Sequence, residues 1–213
     1  MQRRNFIKNT SLGMAALMVK PGFPFRQDTI LGQGNKRYRI DTHWSQADVA
    51  KYPVNDCHEM IQDRKGRILL LTNETHNNVL IYNKKGKILD SWGHEYPGAH
   101  GLTLFDENGT EVLFICDNKR HQVIKTTIDG RVLMVLDYPK ETGQYTKADE
   151  YIPTETAITP NGDIYVADGY GKDFIMHYNA SGKLINFFGG RGTEEKHLLN
   201  AHGVCLDFRN GGE

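Results

Sequence analysis

A repeating unit runs along most of this 213-residue chain and constrains its fold more than any other feature. Each copy begins with a short motif centred on one position, which is occupied in turn by His58, His100, Thr154 and His202. A turn glycine follows eight or nine residues later, at Gly66, Gly109, Gly162 and Gly211. The copies lie 42 to 54 residues apart and contain several apolar runs each, which is typical of the blades of a β-propeller.

The apolar runs within each unit predict strands rather than helices. They are four to eight residues long, rich in β-branched and aromatic residues, and bounded by Gly and Asn/Asp turns. In the third unit we predict strands over 156–158, 164–168 and 174–178, and a fourth that ends near residue 188. The first and second units repeat this arrangement, so the fold class is all-β.

Three further segments complete the predicted organisation. A lone strand over 38–44 is expected to complete the last blade of the ring, and the polar insertion over 138–152 to form a loop over one end of it. The sequence ends at the first turn of the fourth unit, so we expect three blades plus the first strand of a fourth, belonging to a longer protein. The predicted domains are an export signal and linker over 1–34 and a partial propeller over 35–213.

The first 34 residues differ in character from the rest. A basic start with paired arginines, Arg3 and Arg4, precedes a short and weakly apolar stretch over 11–19. This resembles a twin-arginine export signal, which predicts a periplasmic or extracellular protein. The alternative is an ordinary basic amphipathic start.

Composition excludes several function classes. Lys and Arg together number 26 and so do Asp and Glu, so a neutral chain without a basic stripe does not predict nucleic-acid binding. No apolar run approaches the roughly 18 residues that a membrane span needs. The three cysteines, Cys57, Cys116 and Cys205, leave at least one free thiol, and we expect all three to be buried structural thiols. The alternative for Cys57 and Cys205, which flank histidine positions of the repeat, is a role as ligands. A small-molecule or peptide substrate is the expected partner, and the sequence gives no indication of oligomeric state.

The histidines at equivalent positions of the repeat suggest a metal site. The inner strands of a propeller converge on a central channel, so imidazoles from alternate blades can reach one ion about 2.0–2.1 Å away. His100 and His202 are two repeats apart, and a third ligand would come from beyond residue 213. His58 is a possible extra ligand or substrate contact, and the alternative is a hydrogen-bonded structural histidine.

Particular motifs resemble a known family. Residues 161–168, Asn-Gly-Asp-Ile-Tyr-Val-Ala-Asp, resemble the NHL repeat of six-bladed propellers. Over about residues 56–213 the chain is similar to the peptidyl-α-hydroxyglycine α-amidating lyase family. The segments that carry this resemblance are Ala99–Leu102, Pro153–Ala157, Asp168–Gly171 and Ala201–Val204.

The resemblance implies a set of site residues. His100 and His202 would bind zinc, and Tyr170 would be the general base that removes the hydroxyl proton of a carbinolamide. The alternative for Tyr170 is a loop tyrosine that covers the channel mouth. Backbone carbonyls of Met60 and Leu102 match the positions that bind a structural calcium in that family.

The chain also departs from the family. Asn73 stands where the family has an active-site arginine, Gly171 stands where it has a disulfide cysteine, and His58 lies outside the zinc-binding set. Substrate recognition is therefore expected to differ. The alternative function is a non-catalytic propeller that binds a ligand or a protein partner, since both kinds of protein share this fold.

Overall fold

The computed structural model describes residues 30–209, which fall into two compact units that divide between Thr42 and His43. The predicted export signal and the turn at Gly211 lie outside the described residues, so their predictions stay untested.

The first unit contains a hairpin. Strand β1 (Ile30–Gln33) pairs antiparallel with β2 (Lys36–Arg39), and the turn between them includes Gly34 at a φ of 60°. The prediction of a lone strand over 38–44 was wrong: the strand ends at Arg39 and has a partner inside the predicted linker. A glycine that accepts a positive φ lets the chain fold back within two residues, which the sequence reasoning overlooked.

The second unit contains three four-stranded antiparallel sheets, each with its strands in chain order. The first blade consists of β3 (Cys57–Gln62), β4 (Ile68–Thr72), β5 (Val79–Tyr82) and β6 (Ile88–Trp92). The second consists of β7 (Ala99–Glu107), β8 (Thr110–Asp117), β9 (Gln122–Thr127) and β10 (Val132–Leu136). The third consists of β11 (Glu155–Ile158), β12 (Ile164–Ala167), β13 (Phe174–Tyr178) and β14 (Leu184–Gly189). The predicted all-β blades are confirmed.

The inner strands of the blades lie side by side. Strand β7 contacts β3 on one side and β11 on the other, so the three repeat motifs come together along one face. Two apolar cores stack the sheets on each other. One core packs Leu71, Val79 and Ile115 between the first and second blades, and the other packs Phe114 and Met176 between the second and third.

The insertion over 138–152 is anchored in the core as well as exposed, and its predicted place over one end of the ring stays a prediction. It makes two short 3-10 turns, Lys140–Thr142 and Ala148–Glu150, and inserts Tyr145 and Tyr151 into the second core. Its polar composition concealed these two aromatic anchors. The Tyr151 side chain is fully buried, and burial raises its pKa well above the usual value.

The predicted first strand of a fourth blade is not formed. Residues 201–208 have no strand structure, because no segment within 30–209 offers them a hydrogen-bonding ladder. The backbone of Ala201 bonds to side chains instead. Within the described part of the chain, no helix is long and apolar enough to span a membrane.

Candidate functional site

The fold brings the three histidines of the repeat motifs together with Tyr170. The Tyr170 hydroxyl lies 2.6 Å from Nε2 of His202 and 3.3 Å from Nε2 of His100. The ring of His58 stacks on that of His100, with centroids 4.0 Å apart and planes inclined by 27°. The structure thus joins residues separated by more than 140 positions in the sequence into one cluster at the inner strands.

His100 is the most constrained member of this cluster. Its side chain is buried, and Nδ1 donates a hydrogen bond to the backbone carbonyl of Thr154 over 2.9 Å. Because Nδ1 carries the proton, Nε2 presents its lone pair towards Tyr170. Burial lowers the pKa of His100, and the neighbouring imidazoles of His58 and His202 lower it further. His100 is therefore held neutral, with one defined nitrogen available as an acceptor or ligand.

Thr154 connects the two histidines from either side. Its carbonyl accepts the bond from His100, and its buried hydroxyl donates to the carbonyl of Ala201, beside His202, over 3.0 Å. Gly101 makes this close approach possible, because a Cβ at that position would lie 2.4 Å from the Thr154 carbonyl oxygen. Packing therefore requires the glycine of the His-Gly pair at this position.

Tyr170 lies on the loop between β12 and β13, which Asp168 folds into a turn. The buried Asp168 carboxylate accepts hydrogen bonds from the amides of Ile152 and Lys172 and from the Tyr145 hydroxyl. Burial raises the pKa of Asp168 despite these donors. The Tyr170 side chain is 43% exposed, so its hydroxyl contacts both histidines while one side stays open.

The donor atoms fit part of a zinc site. Neutral imidazole nitrogens suit zinc, and a histidine whose second nitrogen donates to a backbone carbonyl, as His100 does, is the usual form of a metal ligand. Among residues 30–209, however, no three His, Cys, Asp or Glu side chains form a group that could hold a metal ion. His100 and His202 could supply two ligands, and a further one would have to come from outside this set.

His58 and Asn73 have different surroundings. His58 joins the cluster through its stack on His100, and within the described residues its ring nitrogens have no hydrogen-bond partner. Asn73 donates to the Asp56 carboxylate and accepts from the Asn55 amide, and its described bonds do not involve the cluster. The possible roles of Asn73 and of His58 at the site stay predictions.

A pair of carboxyl groups lies in the next layer along the inner strands. Glu59 accepts a hydrogen bond from the amide of Leu102 at 2.8 Å, and Glu155 accepts from its neighbour Thr156 at 2.8 Å. Burial, and then the hydrogen bond with Glu59, raise the pKa of Glu155 to about 8. A cavity of about 630 Å³ opens beside them. Sequence reasoning did not predict this pair, although glutamate directly follows the repeat position in two units, after His58 and after Thr154.

The predicted calcium positions lie in the same layer. Leu102 is buried and Met60 is 54% exposed, and the carboxylate of Glu59 is bonded to Leu102. Oxygen atoms are the ligands that calcium prefers, so the donor types present fit a calcium ion. The calcium site remains a prediction.

The cysteine predictions are confirmed at one position. Cys116 is fully buried in β8, as expected of a small apolar side chain, but Cys57 and Cys205 are exposed. Cys57 begins the inner strand β3 and Cys205 lies in the segment without a ladder, so neither is covered by a neighbouring sheet among the described residues.

Comparison with known proteins supports the lyase resemblance. No family model matches the chain. It is 34% identical over 108 residues to peptidyl-α-hydroxyglycine α-amidating lyase 1 of Drosophila melanogaster, which is 49% of this chain and 19% of that protein. It is 32% identical over 114 residues to a probable lyase of the same description from Caenorhabditis elegans, 52% of this chain and 31% of that protein. The chain thus spans less than a third of the length of each of these relatives.

Solved structures decide the fold. Virginiamycin B lyase from Staphylococcus aureus superimposes with a TM-score of 0.50 at 15% identity, over 73% of this chain and 46% of that one. A luciferin-regenerating enzyme superimposes with a TM-score of 0.51 at 11% identity, over 82% of this chain and 55% of that one. The three sheets are β-propeller blades. At these identities the likeness establishes the architecture and says nothing of the reaction.

Proposed function

We propose that this propeller belongs to an exported, metal-dependent lyase that cleaves the carbon–nitrogen bond of a carbinolamide such as a peptidyl-α-hydroxyglycine. The observation that carries the proposal is the convergence of Nε2 of His100 and Nε2 of His202 on the Tyr170 hydroxyl. The relatives named as amidating lyases supply the substrate class.

Each of these side chains has a role in the proposed reaction. His100 and His202 would hold a zinc ion, which supplies positive charge and polarises the substrate oxygen as a Lewis acid. An unperturbed phenol has a pKa of about 10, so a base role for Tyr170 near neutral pH needs nearby positive charge to favour the phenolate. The contact of its hydroxyl with both histidines supports this role, because an ion held by the two imidazoles would lie close to the phenol.

In the proposed reaction Tyr170 first accepts a proton and then returns it. The phenolate removes the proton of the carbinol hydroxyl, the carbon–oxygen double bond forms, and the carbon–nitrogen bond breaks. The departing amide nitrogen takes the proton back from the phenol. From a peptidyl-α-hydroxyglycine this yields a peptide amide and glyoxylate, and Tyr170 returns to its starting state.

Turnover of a peptidyl-α-hydroxyglycine by the full-length protein tests the proposal. Release of glyoxylate above the uncatalysed rate is expected, and Tyr170→Phe should lower kcat by about 100-fold, within the range usual for loss of a general base. The matched control is Tyr165→Phe, in the neighbouring strand β12. A wild-type protein without activity on carbinolamides would contradict the proposal and leave a ligand-binding propeller as the function.

A further inference from the structure

In each blade, one side chain forms a hydrogen bond with the chain segment just before the next repeat position. In the first blade the Asn78 side chain donates to the carbonyl of Tyr96 over 2.9 Å and accepts from its amide over 3.1 Å. In the second blade Nδ1 of His121 donates to the carbonyl of Tyr151 over 2.7 Å. Tyr96 and Tyr151 lie three or four residues before the repeat positions occupied by His100 and Thr154.

The third blade makes the corresponding contact with Asp173. Its Oδ1 accepts a hydrogen bond from the amide of Ala201, which directly precedes His202, over 3.0 Å. Asp173 is fully buried and holds a positive φ of 62°, as His121 does at 60° in the second blade. A buried residue in this rare backbone conformation is held there by its surroundings, so the contact is specified by the folded structure.

Asp173 is also linked to the loop of Tyr170. Its Oδ2 accepts from Nε of Arg191 over 2.7 Å, and the same guanidinium donates to the carbonyl of Gly171 over 3.1 Å. Gly171 directly follows Tyr170. The Asp173 carboxylate thus holds Ala201, next to His202. The Arg191 guanidinium, bonded to that carboxylate, holds Gly171, next to Tyr170.

We propose that Asp173 and Arg191 are positioning residues that hold the His202 imidazole against the Tyr170 hydroxyl. The segment from Ala201 to Phe208 has no strand pairing among the described residues, and the hydrogen bonds of Ala201 to Asp173 and to the Thr154 hydroxyl hold its start. The guanidinium reaches two acceptors at once with a rigid planar fork of donors, a fixed geometry that the flexible ammonium of a lysine does not reproduce. The role of this arrangement in catalysis rests on the proposed function, whereas the hydrogen bonds themselves do not depend on it.

The first measurement monitors the ring of His202 and does not require the protein to be an active enzyme. In the full-length protein with ¹⁵N-labelled histidine, freed of metal with a chelator so that no ion competes for Nε2 of His202, Tyr170→Phe should shift the Nε2 resonance of His202, because it removes the hydroxyl 2.6 Å away. In an Arg191→Gln background the same change should shift it by less than half as much. Arg191 is exposed at the surface, so its loss should leave the fold intact, and Asp173→Asn provides a second, more severe variant.

The second measurement is kinetic. Arg191→Gln should lower kcat about tenfold with KM changed less than threefold, and Arg191→Lys should fall between it and the wild type. Arg209→Gln, which removes an exposed ion pair with Asp207 on the same terminal segment, is the control and should match the wild type in both measurements.

An undiminished Tyr170-dependent shift of His202 in both Arg191→Gln and Asp173→Asn would overturn the proposal. A kcat unchanged in both variants of an active enzyme would also overturn it. A wild-type protein without lyase activity would remove the proposed function alone, because the resonance measurement would still decide whether Asp173 and Arg191 position His202.

Discussion

Thr154 occupies the repeat position that carries histidine in the other three units, and its interactions explain why a histidine is not needed there. Its carbonyl fixes the His100 ring, and its hydroxyl reaches the carbonyl beside His202. The sequence could place Thr154 at the equivalent point of the repeat. It could not show that the residue connects two histidines, because those bonds depend on the distance between neighbouring blades.

The carboxyl pair of Glu59 and Glu155 predicts a dependence of stability on pH. The folded-state pKa of Glu155 is about 8, against an unperturbed value of 4.5, so the folded protein holds this proton more tightly than the unfolded chain. Its contribution is therefore fully present below pH 4.5 and is lost as the pH rises to about 8. Glu155→Gln, which imitates the protonated form, should remove this loss.

The expected gain for Glu155→Gln at pH 8 is about 2 kcal/mol in the free energy of unfolding. One pKa unit corresponds to about 1.4 kcal/mol, and the gain is reduced because water reaches part of the group. Denaturant unfolding of both proteins at pH 5 and pH 8 measures it. The exposed Glu194→Gln serves as the control, and an equal stability difference between Glu155→Gln and the wild type at the two pH values would contradict the assignment.

At the scale of the element, the strands were predicted well where a pattern of apolar residues sets them. The bounds of β13 agree with the prediction to the residue, since turn residues enclose the apolar run. The insertion over 138–152 and the segment over 201–208 were predicted less well. Their conformations depend on burial of Tyr145 and Tyr151 and on a missing ladder partner, and neither is a local property of the sequence.

The His-Gly motif of the second blade predicts a cost of substitution. A Cβ at Gly101 would lie 2.4 Å from the backbone carbonyl oxygen of Thr154. Gly101→Ala should therefore cost about 2 kcal/mol of stability through overpacking, and the exposed Glu194→Ala should stay within about 0.5 kcal/mol of the wild type. Chemical denaturation measures both, and equal costs would show that the second and third blades do not approach each other as described.

At the scale of the whole molecule, the repeat explains how distant residues form one site. The period predicted propeller blades, and their inner strands bring His58 and His100 to one face, where His202 joins them from the segment after the third blade. The symmetry of the repeat thus predicted that the three histidines lie close together, whereas Tyr170 was predicted from the family resemblance. It could not find Asp173 or Arg191, since a buried carboxylate and an exposed guanidinium carry no signal in the repeat pattern.

Metal content of the purified full-length protein tests the central claim most directly. We expect about one zinc ion per chain at the site in the wild type, and the loss of most of it in His100→Ala and in His202→Ala, because each variant removes one imidazole ligand. Tyr170→Phe should keep the metal while lowering turnover, and His76→Ala, an exposed histidine in a turn, is the control. Elemental analysis that finds the same metal content in the wild type and in both His100→Ala and His202→Ala would contradict the account.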